Sequence, residues 1–483
     1  MIEEMEAIMR GAIAGAVATV LMAASVHAQS PSPDELAARN IQRRAVEAMI
    51  WAMPAVNTDL MLQTMLGSTK AKVNEIVYWS KPVDWKNQTL TPNPDAIYLM
   101  SFWNVKDDPI VIEIPPAQGG SIAGNIVTAW QMPLEDAGPE GADKGQGGKY
   151  LILPPGYKGE VPAGYIVLQS DTLSGFALLR SNLASHSDAD VAKSVAYGKQ
   201  VKVYPLAQAN DPPPTNFTDA YDVLFDSTIP FDARFYRNLD RVVQNEPWLE
   251  RDRAMIDQLA TIGIEKGKAF NPDQKTVALL DQAAREAHAI LEQSYDAGFA
   301  VINPGIRWFP AAVAEMVKAA STGYADPNTY PVDMRGVSYT LGFTGIKRIG
   351  TAQFYLMANK DRDGQPFDGA VNYRLTVPAN APVKLYWSAT VYDRETHALV
   401  RNMPSASRAS ISPGIQKNAD GSVDVYFGPK APEGKEANWV PTDPARKFEL
   451  LFRLYGPEKP LFDHSWKLPD VERVATTIGG ATK

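Results

Sequence analysis

Hydrophobic and polar positions alternate along this chain with two periods, and the switch between them marks its organisation. Near the start, Ser32, Pro33 and Glu35 form a capping box with proline at the first helical position, and Ile41, Ala45, Ala48 and Ala52 follow on one face. From about Tyr98 the period shortens, and Pro109–Pro116, Lys149–Pro155 and Gly164–Ser170 are short, β-rich and closed by Pro or Gly. Between about Tyr221 and Tyr295 it becomes helical again, with Phe231, Phe235, Leu239 and Val242 on one stripe. Val277, Leu280, Ala284, Ala287 and Leu291 form another, with Asn271-Pro272 as its expected cap. After about Asp361 the chain turns almost entirely to strands, near Asn372–Val377, Lys384–Tyr392, Ser422–Phe427 and Lys447–Tyr455. There, Leu385, Trp387, Ala389 and Val391 oppose Tyr386, Ser388, Thr390 and Tyr392, while Phe448, Leu450, Phe452 and Leu454 oppose Glu449, Leu451, Arg453 and Tyr455. The expected class is α+β: a mixed N-terminal module and a helical segment, then an antiparallel β-sandwich of jelly-roll type.

Composition adds a compartment and removes some partners. The run from Met9 to Ser30 carries Arg10, an apolar stretch from Ile13 to Ala24, and Val26-His27-Ala28 before Gln29, the pattern of a secretory signal cleaved after Ala28. The preceding MIEEMEAI is acidic, which favours Met9 over Met1 as the translation start. A periplasmic or secreted location follows, with no stable membrane insertion after cleavage, because the apolar run is shorter than the ~20 residues a span needs. There is no cysteine, so no disulfide or thiolate metal site supports the fold. The formal charge is −8, and loss of Glu3, Glu4, Glu6 and Arg10 with residues 1–28 leaves −6, a balance that argues against nucleic acid. The expected units are the signal at 1–28, a mixed α/β module at 29–220, a helical connecting segment at 221–350 and the β domain at 351–483.

Several segments carry a family resemblance: TPNPDAIY at Thr91–Tyr98, GGKYLILPPGY at Gly147–Tyr157 and YWSATVYDRETHALVRN at Tyr386–Asn402. NADGSVDVYFGPKAP, from Asn418, and FRLYGPEKPLFDHSWKLPDVERV, at Phe452–Val474, complete the set. The chain resembles the bacterial tandem of domains of unknown function numbered 1254 and 1214, over nearly all of its length after the signal. The resemblance implies an exported two-domain protein whose C-terminal domain is similar in architecture to peptide-N-glycosidase F, and it carries no activity with it.

The candidate chemistry is sparse. HExxH, GxSxG and Walker patterns are all missing from the sequence. The Gly138–Gly148 run precedes a strand, not a helix, and reads as a loop before it reads as a phosphate cradle. His186, His288, His397 and His464 are widely spaced; His397 and His464, in family-like motifs, are the two to consider if a base is needed, against a structural role for both. Asp361, Asp363 and Asp368, with Gly364 and Gly369, read as a turn before a structural cation site, and no other cofactor is expected. In TPNPDAIY, Pro92 and Pro94 stiffen a loop bearing Asn93, Asp95 and Tyr98, which makes these three the catalytic candidates; the plain alternative is an Asx turn. Aromatic and polar candidates for contacting substrate are Trp103, Trp130, Tyr392, Arg408, Asn438 and Trp439, with Ser388, Thr390 and Arg453 on the polar strand faces that a solvated sheet would also show.

Two functions are compatible with these residues. One is an exported enzyme acting on a glycan, envelope component or small organic compound, with Asp95 as acid or base. The other is a ligand-binding or assembly protein of the cell envelope, homo-oligomeric in its assembly form, with no turnover. An enzyme predicts Asp95 in a concave pocket with a perturbed pKa.

Overall fold

The computed structural model describes residues 30–474 apart from 298, 349 and 351, so the segment read as a secretory signal lies outside the described residues. The capping box forms as the sequence predicts: Glu35 N–H donates to Ser32 Oγ (3.3 Å) and Ser32 N–H to Glu35 Oε2 (2.7 Å). It opens the helix Pro33–Ser68, whose second half is largely buried. That helix packs against Arg234–Asn245, Gln274–Ala297 and Val332–Thr340. The stripes Phe235, Leu239, Val242 and Leu280, Ala284, Ala287, Leu291 close onto Ala45, Ala48 and Ala52 in one shared core. The cap of the Gln274–Ala297 helix is Asp273 and not Asn271-Pro272: its short carboxylate accepts from the Thr276 N–H at 2.7 Å, satisfying a first-turn donor.

Four larger sheets, all open, form two sandwiches. In the first, a six-stranded sheet runs in the order Phe217–Asp219, Ile76–Tyr78, Ala96–Asn104, Ser174–Asn182, Ile122–Thr128, Pro133–Ala137. It faces a four-stranded sheet containing Ile110–Ile114 and Gly148–Leu153, and Trp103, Ile112, Ile126, Tyr150 and Leu179 fill the space between them. In the second, a five-stranded sheet centred on Phe448–Pro457 and Val383–Asp393 faces a four-stranded sheet centred on Tyr373–Val377 and Val423–Gly428. Trp387, Leu375, Val425, Phe427 and Phe452 form that core. The second sandwich is antiparallel except where Val423–Gly428 pairs in parallel with Trp439–Pro441.

What positions the site is the use of both faces of the central strands. Trp387, Ala389 and Val391 enter the sandwich core, as the alternation predicts, whereas Leu385, within a break in register between Val383 and Tyr386, is exposed. The opposite face, Tyr386, Ser388, Thr390 and Tyr392, is not solvated: each is at most 1% exposed, because it meets the first domain. Ala96–Asn104 and Ser174–Asn182 are in register with Tyr98 opposite Arg180 and Met100 opposite Leu178, so these residues share the face that looks away from Trp103 and Leu179. The two domains therefore meet sheet face to sheet face, with the helices filling the remainder.

Candidate functional site between the two domains

The TPNPDAIY loop is the wedge at this junction. Its backbone is strained at Thr91, a β-branched residue with φ of 38°. Three contacts hold it there: Thr91 N–H donates to the His397 carbonyl (2.7 Å), Thr91 Oγ1–H to the Leu341 carbonyl (2.9 Å), and the Thr91 carbonyl accepts from Arg453 Nη2 (2.8 Å). Asn93 then makes the Asx turn, accepting from Asp95 N–H at 3.0 Å. Its amide also reaches into the second domain, donating to the hydroxyls of Tyr455 (2.9 Å) and Tyr386 (3.1 Å), while its N–H donates to the Tyr98 hydroxyl (2.9 Å). Asn93 is thus a fully used interdomain tie.

On one side of this loop lies a cavity of about 120 Å³. Its walls are mostly apolar, with Met61, Met100, Phe176, Leu178, Phe343, Met357 and Leu451, and its polar groups include Arg180, Arg453, Tyr98, Tyr355, Asn125 and Gln131. Arg453 is 1% exposed and donates to Thr390 Oγ1 (3.0 Å), the Thr91 carbonyl and the Tyr392 hydroxyl (2.6 Å). Arg180 is 6% exposed, with Nη1 3.4 Å from Asn125 Oδ1, and interacts with Tyr98 through the phenol and with its guanidinium 5.6 Å from the ring centre. Neither arginine has a carboxylate within ion-pair distance among the described residues, and the Nε of each is buried without a partner. Burial holds the phenols of Tyr386, Tyr392 and Tyr455 above their ordinary range, so these are neutral hydroxyls that supply no compensating charge. Asn125 links Arg180 indirectly to Asp136, whose carboxylate accepts from Asn125 at 3.0 Å and from the backbone of Lys347 and Arg348.

On the other side of the loop, Asp95 borders a groove of about 410 Å³ with His186, Ser407 and Arg408. Asp95 Oδ2 accepts from Ser407 Oγ (2.7 Å), and Oδ1 lies 3.1 Å from His186 Nε2. Arg408 is held by the carbonyls of Ala437 (2.9 Å) and Ser407 (2.7 Å).

The sequence candidates therefore separate. Tyr98 and Tyr392 belong to the cavity, Tyr392 through its bonds to Arg453 and to the Pro92 carbonyl (2.5 Å); Asp95 and Arg408 belong to the groove. Trp103 is fully buried between the first two sheets, and Trp130 packs on Trp51 with ring centres 4.6 Å apart. Asn438 braces a turn by donating to the Gln416 (2.9 Å) and Asp424 (2.8 Å) carbonyls, and Trp439 Nε1 donates to the Gly428 carbonyl (2.9 Å) in the outer sheet; neither lines the cavity or the groove, although the adjoining Ala437 borders the groove. Asp361 accepts from the N–H groups of Asp363 and Gln365 and pairs with Arg473 (2.7 Å), while Asp368 accepts from Ala370; these carboxylates serve turns. No cluster of three or more metal-ligating side chains occurs among the described residues. His397 is 1% exposed between Glu449 (2.8 Å from Nδ1) and Glu292 (3.3 Å from Nε2), and His464 is exposed. Sequence reasoning missed Arg180, Tyr355 and the pairing of His186 with Asp95, since each depends on contacts across long stretches of chain.

Comparison with known proteins places this architecture. Residues 73–205 match the family described as Protein of unknown function (DUF1254), and residues 352–459 match Protein of unknown function (DUF1214). The two matches stand in tandem, in the order its motifs suggest. No curated protein matches it. Among solved structures it is similar to the VPA0106 protein of Vibrio parahaemolyticus, at 18% identity and a TM-score of 0.56 over 90% of this chain and 100% of that one. It also matches a putative uncharacterized protein from Burkholderia cenocepacia, at 11% identity and a TM-score of 0.42 over 90% of this chain and 95% of that one. The first likeness concerns the fold alone. No helix among the described residues is long and apolar enough to cross a membrane.

Proposed function

We infer that this protein binds a small organic anion in the cavity between its two domains, and that it meets this ligand outside the cytoplasm, where its N-terminal signal would direct it. The observation that carries the reading is the pair of buried guanidinium groups, Arg180 and Arg453, with no carboxylate in ion-pair range among the described residues. Burying a cation costs several kcal/mol, and hydrogen bonds from a charged donor return about 1.5–3 kcal/mol each. Arg453 recovers much of its cost through four acceptors; Arg180, with a long contact to Asn125 and Tyr98 as phenol and cation–π neighbour worth up to about 2 kcal/mol, recovers less. An anionic group between them would close the balance, and the Met, Phe and Leu walls would take an apolar body. The volume sets the size, being somewhat below the ~150 Å³ of a cavity that holds benzene.

Thermal-shift titration with short-chain and aromatic carboxylates, sulfate and phosphate tests this. At least one should raise the melting temperature of the wild type, and Arg180→Met should abolish the rise while still folding, because Arg180 makes no ion pair among the described residues. Equal shifts in wild type and variant, or no shift with any anion, would contradict the reading.

A further inference from the structure

The groove on the far side of the TPNPDAIY loop is separate from the anion cavity, and its chemistry is different. His186 sits just before the helix Asp188–Gly198, where Ser187 caps the helix by accepting from Asp190 N–H (3.2 Å), so its position is fixed by backbone structure. Its Nε2 is buried 3.1 Å from Asp95 Oδ1, within ion-pair distance but not in hydrogen-bond geometry, and Asp95 is itself fixed by Ser407 and by the Asx turn of Asn93. Ring Nδ1 makes no hydrogen bond among the described residues and is not buried, which leaves it open as an acceptor. A carboxylate behind one ring nitrogen with the other free is the arrangement of a general base. Arg408, on the same groove, has no carboxylate within ion-pair distance among the described residues. Half-buried Trp85 and Tyr221, with Met403, give the groove an apolar side.

We propose that this groove is a hydrolytic site for small carboxylic esters, with His186 as catalytic base, Asp95 as its positioning residue and Arg408 as the cation that receives the developing oxyanion. His186 Nδ1 takes a proton from a water as the water oxygen bonds to the ester carbonyl carbon, and the carbonyl π pair moves to oxygen beside Arg408. Collapse of this intermediate breaks the carbon–alkoxy bond. The alkoxide leaves with the proton returned by the imidazolium, giving acid and alcohol with no change of oxidation state. An ester fits because its alkoxide leaves without a second acid, and one base and one cation are what the groove supplies.

The test is hydrolysis of p-nitrophenyl butyrate by the full-length mature protein. Saturable turnover is expected, retained in the control His464→Gln and reduced ~100-fold or more in kcat by His186→Gln, which alters only a partly exposed side chain. In Asp95→Asn, kcat should fall while KM holds, because the ring loses the carboxylate that positions it; a purely structural role would leave kcat per folded molecule in place. Absence of saturable hydrolysis, or wild-type kcat in His186→Gln, would overturn the proposal.

Discussion

Single residues decide whether the interdomain cavity keeps its shape. Thr91 has φ of 38° and Gly342 lies against it with φ of 83°, a region that glycine enters without cost. A Cβ added at Gly342 would stand 2.5 Å from Thr91 Oγ1 and 2.7 Å from the Leu90 carbonyl oxygen, and the latter is backbone that cannot swing aside. Gly342→Ala is therefore expected to destabilise by more than ~1 kcal/mol, read by chemical denaturation, and to weaken anion binding with it. A neutral effect would mean that the wall can shift. Arg180 and Arg453 show why the site was only half legible in the sequence. Arg453 lies in an alternating run whose polar face was visible, but whether that face meets water or another sheet is not encoded locally. Arg180, in FALLRSN, gains its meaning from Tyr98 across the sheet and from a cavity closed by the other domain.

At the scale of elements, the helix Gln274–Ala297 is tied to the second sandwich by a buried ionic cluster. Tyr295 donates to Glu449 Oε2 (2.7 Å), His397 lies between Glu449 and Glu292, and Arg394 pairs with Glu292 and Asp296 (2.9 Å). His288 is also close, 3.7 Å from Glu292. Because the His397 carbonyl holds Thr91 N–H, this cluster also braces the cavity loop. Burial pushes His397 down, but Glu449 and Glu292 outweigh it and bring the imidazole up to about 9. A pKa raised on folding stabilises fully below the unfolded value of ~6.5 and is lost as pH rises through the folded one. Stability should therefore decline between pH ~6.5 and about 9, and His397→Gln should flatten that slope in denaturation series; an equal slope in both would remove His397 as its source. The elements themselves were readable where period and punctuation agree, as in the Ser32 capping box and the Val383–Asp393 alternation. The cap at Asp273 was misread because Asn271-Pro272 offers an equally good local signal, and only the position of the first helical turn separates them.

Across the whole molecule, two sandwiches bury polar faces against each other. The tandem order was legible from motifs, and the class from the change of period, but the interface was not. Its bonds join Asn93 to Tyr386 and Tyr455, and Tyr392 to Pro92, across roughly three hundred residues of chain, and no local pattern records them. An anion that completed this interface would add stability by binding the folded protein alone. The most direct test is anomalous diffraction from crystals equilibrated with sodium bromide, a probe of charge compensation that does not depend on knowing the natural ligand. The account predicts a bromide peak in the cavity in contact with the guanidinium groups of Arg180 and Arg453, lost in Arg180→Met. Bromide confined to the protein surface, with that cavity unoccupied in the wild type, would contradict it.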